Sequence, residues 1–341
     1  MKIEQFKCQP FSIPFKTSLK SSKGQYDHRE GFWLEIMSED FMGYGEASPL
    51  LGFSMESLHE VYYVFEGFFH AVKNEDVDEE ELLLLAEVHC RDCPSARFAV
   101  ETAIYDILSQ QANMSMSQYL NKSSLSSIEV NGMFGIHVAL DGFKVLKVKV
   151  GVSNIFDEIE LLEELTESFG SEVLFRLDAN EVFDLPKAIR FCKEMKNFNI
   201  DYIEQPLPIH DLEDLEELQC HTEIPIALDE SITTFESVKT IIDKELAQVF
   251  VIKPMVSGGF IESSKIIEIA RSNDIKAIIS SSLETSIGRM ACIHLAASNE
   301  IKDPCGLATD QFFSEKMSTP KIENGILNLS KLSGLGLKLE F

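Results

Sequence analysis

Five charged residues recur at near-constant intervals in the second half of the chain: Lys149, Asp178, Glu204, Asp229 and Lys253, 24 to 29 residues apart. Each ends a short run of strand-forming residues. One strand, one helix and two short loops take about that length. A parallel β/α barrel would deliver all five side chains to its C-terminal mouth, where such barrels carry their chemistry. Three carboxylates that close repel one another unless a cation binds them. An all-oxygen set suits a hard ion, Mg2+ or Mn2+, rather than zinc. Asn180 and Glu230 stand two and one residues beyond ligand candidates and can support them from behind.

The lysines flank this set. Lys147 and Lys149 are two apart on one strand and so point to one face. Two buried ammonium groups side by side disfavour each other's charge, which lowers the pKa of at least one and makes it a base near neutral pH. Lys253 faces the site from the other side. A lysine that removes the proton beside a carboxylate creates a dianion, which needs cationic stabilisation as it forms. Taken singly, each residue has a plainer reading: an exposed strand lysine, a helix-capping acid, a snorkelling strand-end lysine. The ordered set of five argues against five coincidences.

Ser280-Ser281-Ser282 through Ser286 and Gly288 ends a strand and opens a helix. Hydroxyls and free backbone amides there would make an anion pocket for a second substrate carboxylate; an ordinary serine cap is the alternative. His137 and His294 have no partner pattern and read as structural. No GxSxG or Cys/His signature is present.

Short β-branched runs at 128–132, 145–150, 173–178, 202–204, 226–229, 248–253 and 277–281 alternate with helical runs at 155–169, 185–196, 212–219, 234–244, 261–272 and 286–297. That alternation argues for βα units. An eighth strand is expected near 305–308. Ahead of this, residues 1–60 are strand-rich, with runs at 32–37 and 41–45, and 55–120 carries helical periodicity at 55–72, 79–88 and 94–114. Gly43-Tyr44-Gly45 fails the dinucleotide fingerprint because position 48 is serine. The expected organisation is an α+β capping domain over 1–127, joined by the tail 312–341, and a barrel over 128–311.

The 341 residues are 45% hydrophobic and 25% charged, enough for a sizeable core. The net charge of −26 disfavours nucleic acid or anionic membranes as partners. No signal peptide or 18-residue apolar span is read, and the seven scattered cysteines fit reduced thiols, so a cytoplasmic setting is expected. Cys90 and Cys93 lack the second pair a zinc site needs. Three Asn-x-Ser sequons, at Asn113, Asn121 and Asn328, have no secretion signal to expose them.

Lys147-Val148-Lys149, Asp178-Ala179-Asn180, Glu204-Gln205-Pro206, Asp229-Glu230-Ser231 and Ile252-Lys253-Pro254 together resemble the enolase superfamily, in its muconate-lactonizing-enzyme-like branch. The resemblance implies a modified TIM barrel, (β/α)7β, with a capping domain, a bound Mg2+, and Asp178, Glu204 and Asp229 as its ligands. The serine run, the stretches 11–20 and 26–31, and Asn131-Gly132 look most like the o-succinylbenzoate synthases. That likeness implies a small dicarboxylate substrate, contacts from Asn131 and the serines, Lys149 as base, Lys253 opposite, and capping loops near 17–24 and 49–54. Ten residues between Gly132 and Phe143 are too few for a usual first barrel helix. Dipeptide epimerases of this branch hold a substrate ammonium with Asp-x-Asp on the eighth strand; here Asp310 has Ala308 two before it.

Overall fold

The computed structural model describes the chain except residues 22, 23, 51, 74, 136–139, 141, 316 and 338–341, with backbone alone at 20 and 21. His137 and parts of both expected capping loops therefore lie outside the described residues.

Strand formers in the first fifty residues build an antiparallel sheet of β1 (Gln5–Ser21), β2 (Gly24–Ser38) and β3 (Phe41–Ala47), in that order. Four helices follow: α1 (Leu58–Val72), α2 (Glu79–His89), α3 (Pro94–Gln111) and α4 (Met116–Leu120). Helix α1 starts where it does because Ser57 and Glu60 close a capping box, each side chain taking the other's backbone N–H. Helix α3 is buried on nearly every side, pressed between β3 and the barrel. The failed nucleotide motif has its explanation here. A Cβ on Gly43 would stand 2.1 Å from the Ala103 carbonyl oxygen, and one on Gly45 2.0 Å from that of Ala99. Those glycines let α3 lie directly on β3.

Next come β4 (Ser127–Glu129), β5 (Gly132–Met133), β6 (Val145–Lys149), α5 (Ile155–Phe169), β7 (Leu174–Asp178), α6 (Leu185–Met195) and β8 (Ile200–Glu204). They continue into α7 (Leu212–His221), β9 (Ile226–Leu228), α8 (Phe235–Asp243), β10 (Val249–Ile252), α9 (Pro254–Ser257), α10 (Gly259–Ser272), β11 (Lys276–Ile279) and α11 (Ser286–Ser298). Caps punctuate these helices: Asn154 before α5, Asp184 before α6 and Thr234 before α8 each accept backbone N–H groups. Strands β5 to β11 form one parallel sheet in chain order. The expected eighth strand is reduced to two parallel bridges, Cys305 to Val130 and Gly306 to Ser280, which bring the ends of the sheet together. The result is the expected modified (β/α)7β barrel with an α+β cap. The short first crossover expected between β5 and β6 falls largely on residues 136–139 and 141, outside the described residues.

Tyr202, Ala227, Val249, Val251 and Ile278 fill the barrel interior, and the Arg176 guanidinium lies 4.9 Å from the Tyr202 ring centroid. Cap and barrel meet through α3 and α10, where the Phe98 and Phe260 rings stack 6.3 Å apart. The tail hairpin, β12 (Ile322–Glu323) with β13 (Ile326–Asn328), pairs with β4 rather than with the cap sheet. Phe313 and Gly334 still reach the cap, bridging to Phe15 and Ser115. No helix among the described residues is long and apolar enough to cross a membrane. All seven cysteines are unpaired, and burial pushes the thiols of Cys90 and Cys93 up, away from the reactive thiolate.

Candidate active site

Register across the barrel brings the five charged residues to one end. Lys149 is level with Asp178, and Asp178 with Glu204. Glu204 is level with Ala227 and Ala227 with Val249, so Asp229 and then Lys253 each stand further along their strands. This stagger is the shear of a closed barrel. Strand β6 and strand β10 are four positions apart around the ring, so Lys149 and Lys253 face each other across the mouth.

Lys147 Nζ lies 2.7 Å from Glu204 Oε1 and 3.1 Å from Asp178 Oδ2; Lys253 Nζ pairs with Asp229 Oδ2. Lys149 Nζ donates to Asn180 Oδ1 at 3.0 Å, and Asn180 Nδ2 donates to Glu230 Oε1 at 3.0 Å. The expectation of two buried lysines side by side is corrected. Lys149 is exposed at the mouth, while Lys147 is partly buried among carboxylates. Burial alone would pull the Lys147 ammonium down, but Asp178, Glu204 and Asp229 hold its pKa well above the ordinary lysine value. Burial opposes the charge on Asp178, yet Lys147 and Lys149 keep that carboxyl below its usual range. Glu230 is pushed up to about 7 by burial and by Asp229.

Among the described residues, no three acidic, imidazole or thiol side chains converge tightly enough to hold a metal ion as they stand. The Lys147 and Lys253 ammonium groups pair with these carboxylates instead. Three carboxylate oxygens are nevertheless left buried without a hydrogen bond: Asp178 Oδ1, Glu204 Oε2 and Glu230 Oε2. Orphaned carboxylate oxygens at one mouth are what a hard cation would satisfy, so the donor set fits Mg2+.

Backbone strain gathers at the same mouth. Asn180, Glu181 and Gln205 all have positive φ, of 42°, 64° and 39°. Gln205 was quoted in a motif but given no role by sequence reasoning. Its Oε1 accepts from the N–H groups of Asp229 and Ser231, both at 3.2 Å, so it ties the end of β8 to the end of β9.

The serine run differs from expectation. The amides at the start of α11 are not free: Thr285 N and Gly288 N donate to the Glu46 carboxylate at 2.8 and 3.0 Å. Ser286 Oγ accepts from Ser318 N at 2.8 Å, and Ser281 Oγ donates to Glu284. Ser280 packs against Gly306. Only Ser282 Oγ, of the three consecutive serines, is a buried hydroxyl with no partner. The anion pocket foreseen for a ligand is thus occupied largely by the chain's own carboxylates, a partner set that linear spacing does not reveal. Asn131, likewise, is 3% exposed, and its Oδ1 accepts from Arg176 at 3.1 Å. His294 is structural as expected, its Nδ1 accepting from Ser117 N and its Nε2 meeting the Leu335 carbonyl.

Comparison with known proteins agrees with this architecture. Residues 136–340 match the family model described as enolase C-terminal domain-like, and residues 3–107 match MenC, N-terminal domain. The L-Ala-D/L-Glu epimerase of Francisella tularensis subsp. novicida is 25% identical over 98% of this chain and 99% of its own. The o-succinylbenzoate synthase of Desulfotalea psychrophila is 29% identical over 70% of this chain and 68% of its own. The crystal structure of a dipeptide epimerase from Enterococcus faecalis V583, complexed with Mg and L-Leu-L-Tyr, superposes with a TM-score of 0.90 at 26% identity, covering 99% of this chain and 100% of that one. With its whole barrel and cap accounted for in this way, the chain belongs to the enolase superfamily, in the muconate-lactonizing-enzyme-like branch.

Proposed function

We propose that the chain is a Mg2+-dependent o-succinylbenzoate synthase. It would remove water from 2-succinyl-6-hydroxy-2,4-cyclohexadiene-1-carboxylate in menaquinone synthesis. Lys149, as the free amine, takes the proton from the carbon beside the carboxylate, and the electron pair moves into that carboxylate. The pair then returns to form the ring double bond as the C–O bond breaks. The Lys149 ammonium gives its proton to the departing hydroxide, so water leaves and the amine is restored. Lys253, across the mouth, offsets the charge that develops on the substrate, and Lys147, kept cationic by its carboxylates, adds to that field. Asp178, Glu204 and Asp229 would hold the metal, with Asn180 and Glu230 behind them. Bound Mg2+ supplies positive charge against the substrate carboxylate, which favours loss of the neighbouring proton. Of the serine run, the Ser280 and Ser282 hydroxyls make no hydrogen bond among the described residues and are left for the substrate's second carboxylate.

The observation that favours a lyase over a dipeptide epimerase lies at the eighth-strand rim. Asp310 Oδ1 is 3.5 Å from Arg289 NH2, and position 308 is alanine. The Arg289 guanidinium competes with a substrate ammonium for Asp310, and alanine at 308 supplies no second carboxylate beside it. The match of residues 3–107 to the MenC N-terminal domain supports the same reading.

A second reading is an N-acylamino acid racemase or dipeptide epimerase, supported by the opposed lysines and by the full-length likeness to epimerases. Incubation in deuterated water separates the two. The synthase yields product that has lost water. Deuterium entering at a Cα of an N-succinylamino acid or a dipeptide, with no dehydration of the cyclohexadiene, would overturn the synthase reading in favour of the second.

A further inference from the structure

The turn after β11 is strained and is held from outside the barrel. Leu283 sits at a φ of 65°, unfavourable for a branched side chain. The carbonyls on either side of that kink accept from one buried guanidinium: Arg29 NH2 reaches Ser282 O at 3.0 Å, and Arg29 Nε reaches Leu283 O at 2.9 Å. Arg29 belongs to β2 of the cap and is 1% exposed. From β3, the fully buried Glu46 takes Thr285 N, Thr285 Oγ1 and Gly288 N at 2.8, 2.6 and 3.0 Å. One cap residue therefore holds the carbonyl side of the turn and the other its amide side. Between the two grips lies the unpartnered Ser282 hydroxyl, at the mouth end of β11.

We propose that Arg29 and Glu46 are positioning residues that reach across the cap–barrel seam and lock this turn, so that the Ser282 hydroxyl is presented to the anionic end of the substrate. The inference rests on the proton-abstraction reading of the mouth. Hydrogen bonds to charged groups are the strong ones, and buried partners left behind are costly. A loosened turn would therefore weaken ground-state binding of the carboxylate without touching the lysines that do the chemistry.

Two measurements test this. In steady-state kinetics with the hydroxy-cyclohexadiene substrate, Arg29→Met should raise KM about tenfold while kcat stays within about threefold. Ser282→Ala, which removes one hydroxyl and leaves the fold alone, should do the same, and the double variant should add no further rise. A fall in kcat at unchanged KM, or additive KM effects, would overturn the proposal. Amide exchange by NMR needs no turnover. In Glu46→Gln, which keeps the shape but not the charge, the Thr285 and Gly288 amides should exchange at least about tenfold faster, with the barrel amide of Ile203 unchanged. Unchanged exchange at Thr285 and Gly288 would overturn the clamp. Should the wild type fail to convert the substrate, the proposed function falls, and the exchange result still decides whether the cap holds the turn.

Discussion

Between β6 and β10 the barrel mouth gathers more buried carboxylate oxygens than the chain can satisfy; after β11, the Glu46 and Glu284 carboxylates are answered by amides and hydroxyls of the chain itself. On the first side two lysines neutralise three acids and leave oxygens of Asp178, Glu204 and Glu230 without hydrogen bonds. On the second, Glu46 takes the start of α11, and Glu284 takes Ser281 Oγ and Ser282 N. Unsatisfied buried polar groups mark where a ligand is expected, and satisfied ones mark where structure is being held. Loss of a side chain should therefore cost turnover and metal binding on the first side, and stability and substrate positioning on the second.

The largest expected effect is on the open side. Lys149→Ala should lower turnover about a thousandfold or more, the scale of losing a positioned base, while calorimetry still finds Mg2+ binding. On the closed side, Glu46→Ala strands two amides and a hydroxyl. It should lower the unfolding free energy by about 3 kcal/mol in denaturant titration.

Helix α11 gives this second region a pH signature as well. His294, fully buried on that helix, has its pKa lowered to about 4 by burial. A free imidazole sits near 6.5, so as pH falls the unfolded chain takes the proton first. The stability tied to the neutral ring is complete above about pH 6.5 and is lost progressively as pH falls towards 4, about 3 kcal/mol in all. Denaturant titrations between those values should show that slope, and His294→Gln should flatten it.

The contrast sharpens with Glu204→Gln. Mg2+ affinity should fall about tenfold or more, yet stability should change by less than about 1 kcal/mol, because burial already works against the Glu204 charge. A large loss of stability in this variant would break the distinction between the two sides. The smallest effect belongs to Trp33→Phe. It removes the indole donor to Thr285 Oγ1, at 3.1 Å, and should cost about 1 kcal/mol.

The open side was legible in the chain because a parallel barrel turns regular spacing into convergence. Lys149, Asp178 and Glu204 end successive strands, and adjacent parallel strands bring their ends together without further information. Helix α5 spans the residues expected of it, 155–169, with Asn154 capping its start and Gly170 following its end. The closed side could not be read that way. Arg29 and Glu46 stand more than two hundred residues from the turn they grip, and no periodicity links a cap strand to a barrel loop. The sign of the Lys147 shift was also hidden, because a Lys-x-Lys pair shows which face the side chains share and not which acids surround them.

The most direct measurement is loss of the cyclohexadiene absorbance with purified protein, Mg2+ and the hydroxy-cyclohexadiene substrate, run beside an EDTA control and Lys149→Ala. The expected result is rapid conversion by the wild type, stopped by the chelator and by the substitution. Conversion that persists in Lys149→Ala, or none by the Mg2+-loaded wild type, would contradict Lys149 as the base of a metal-dependent synthase.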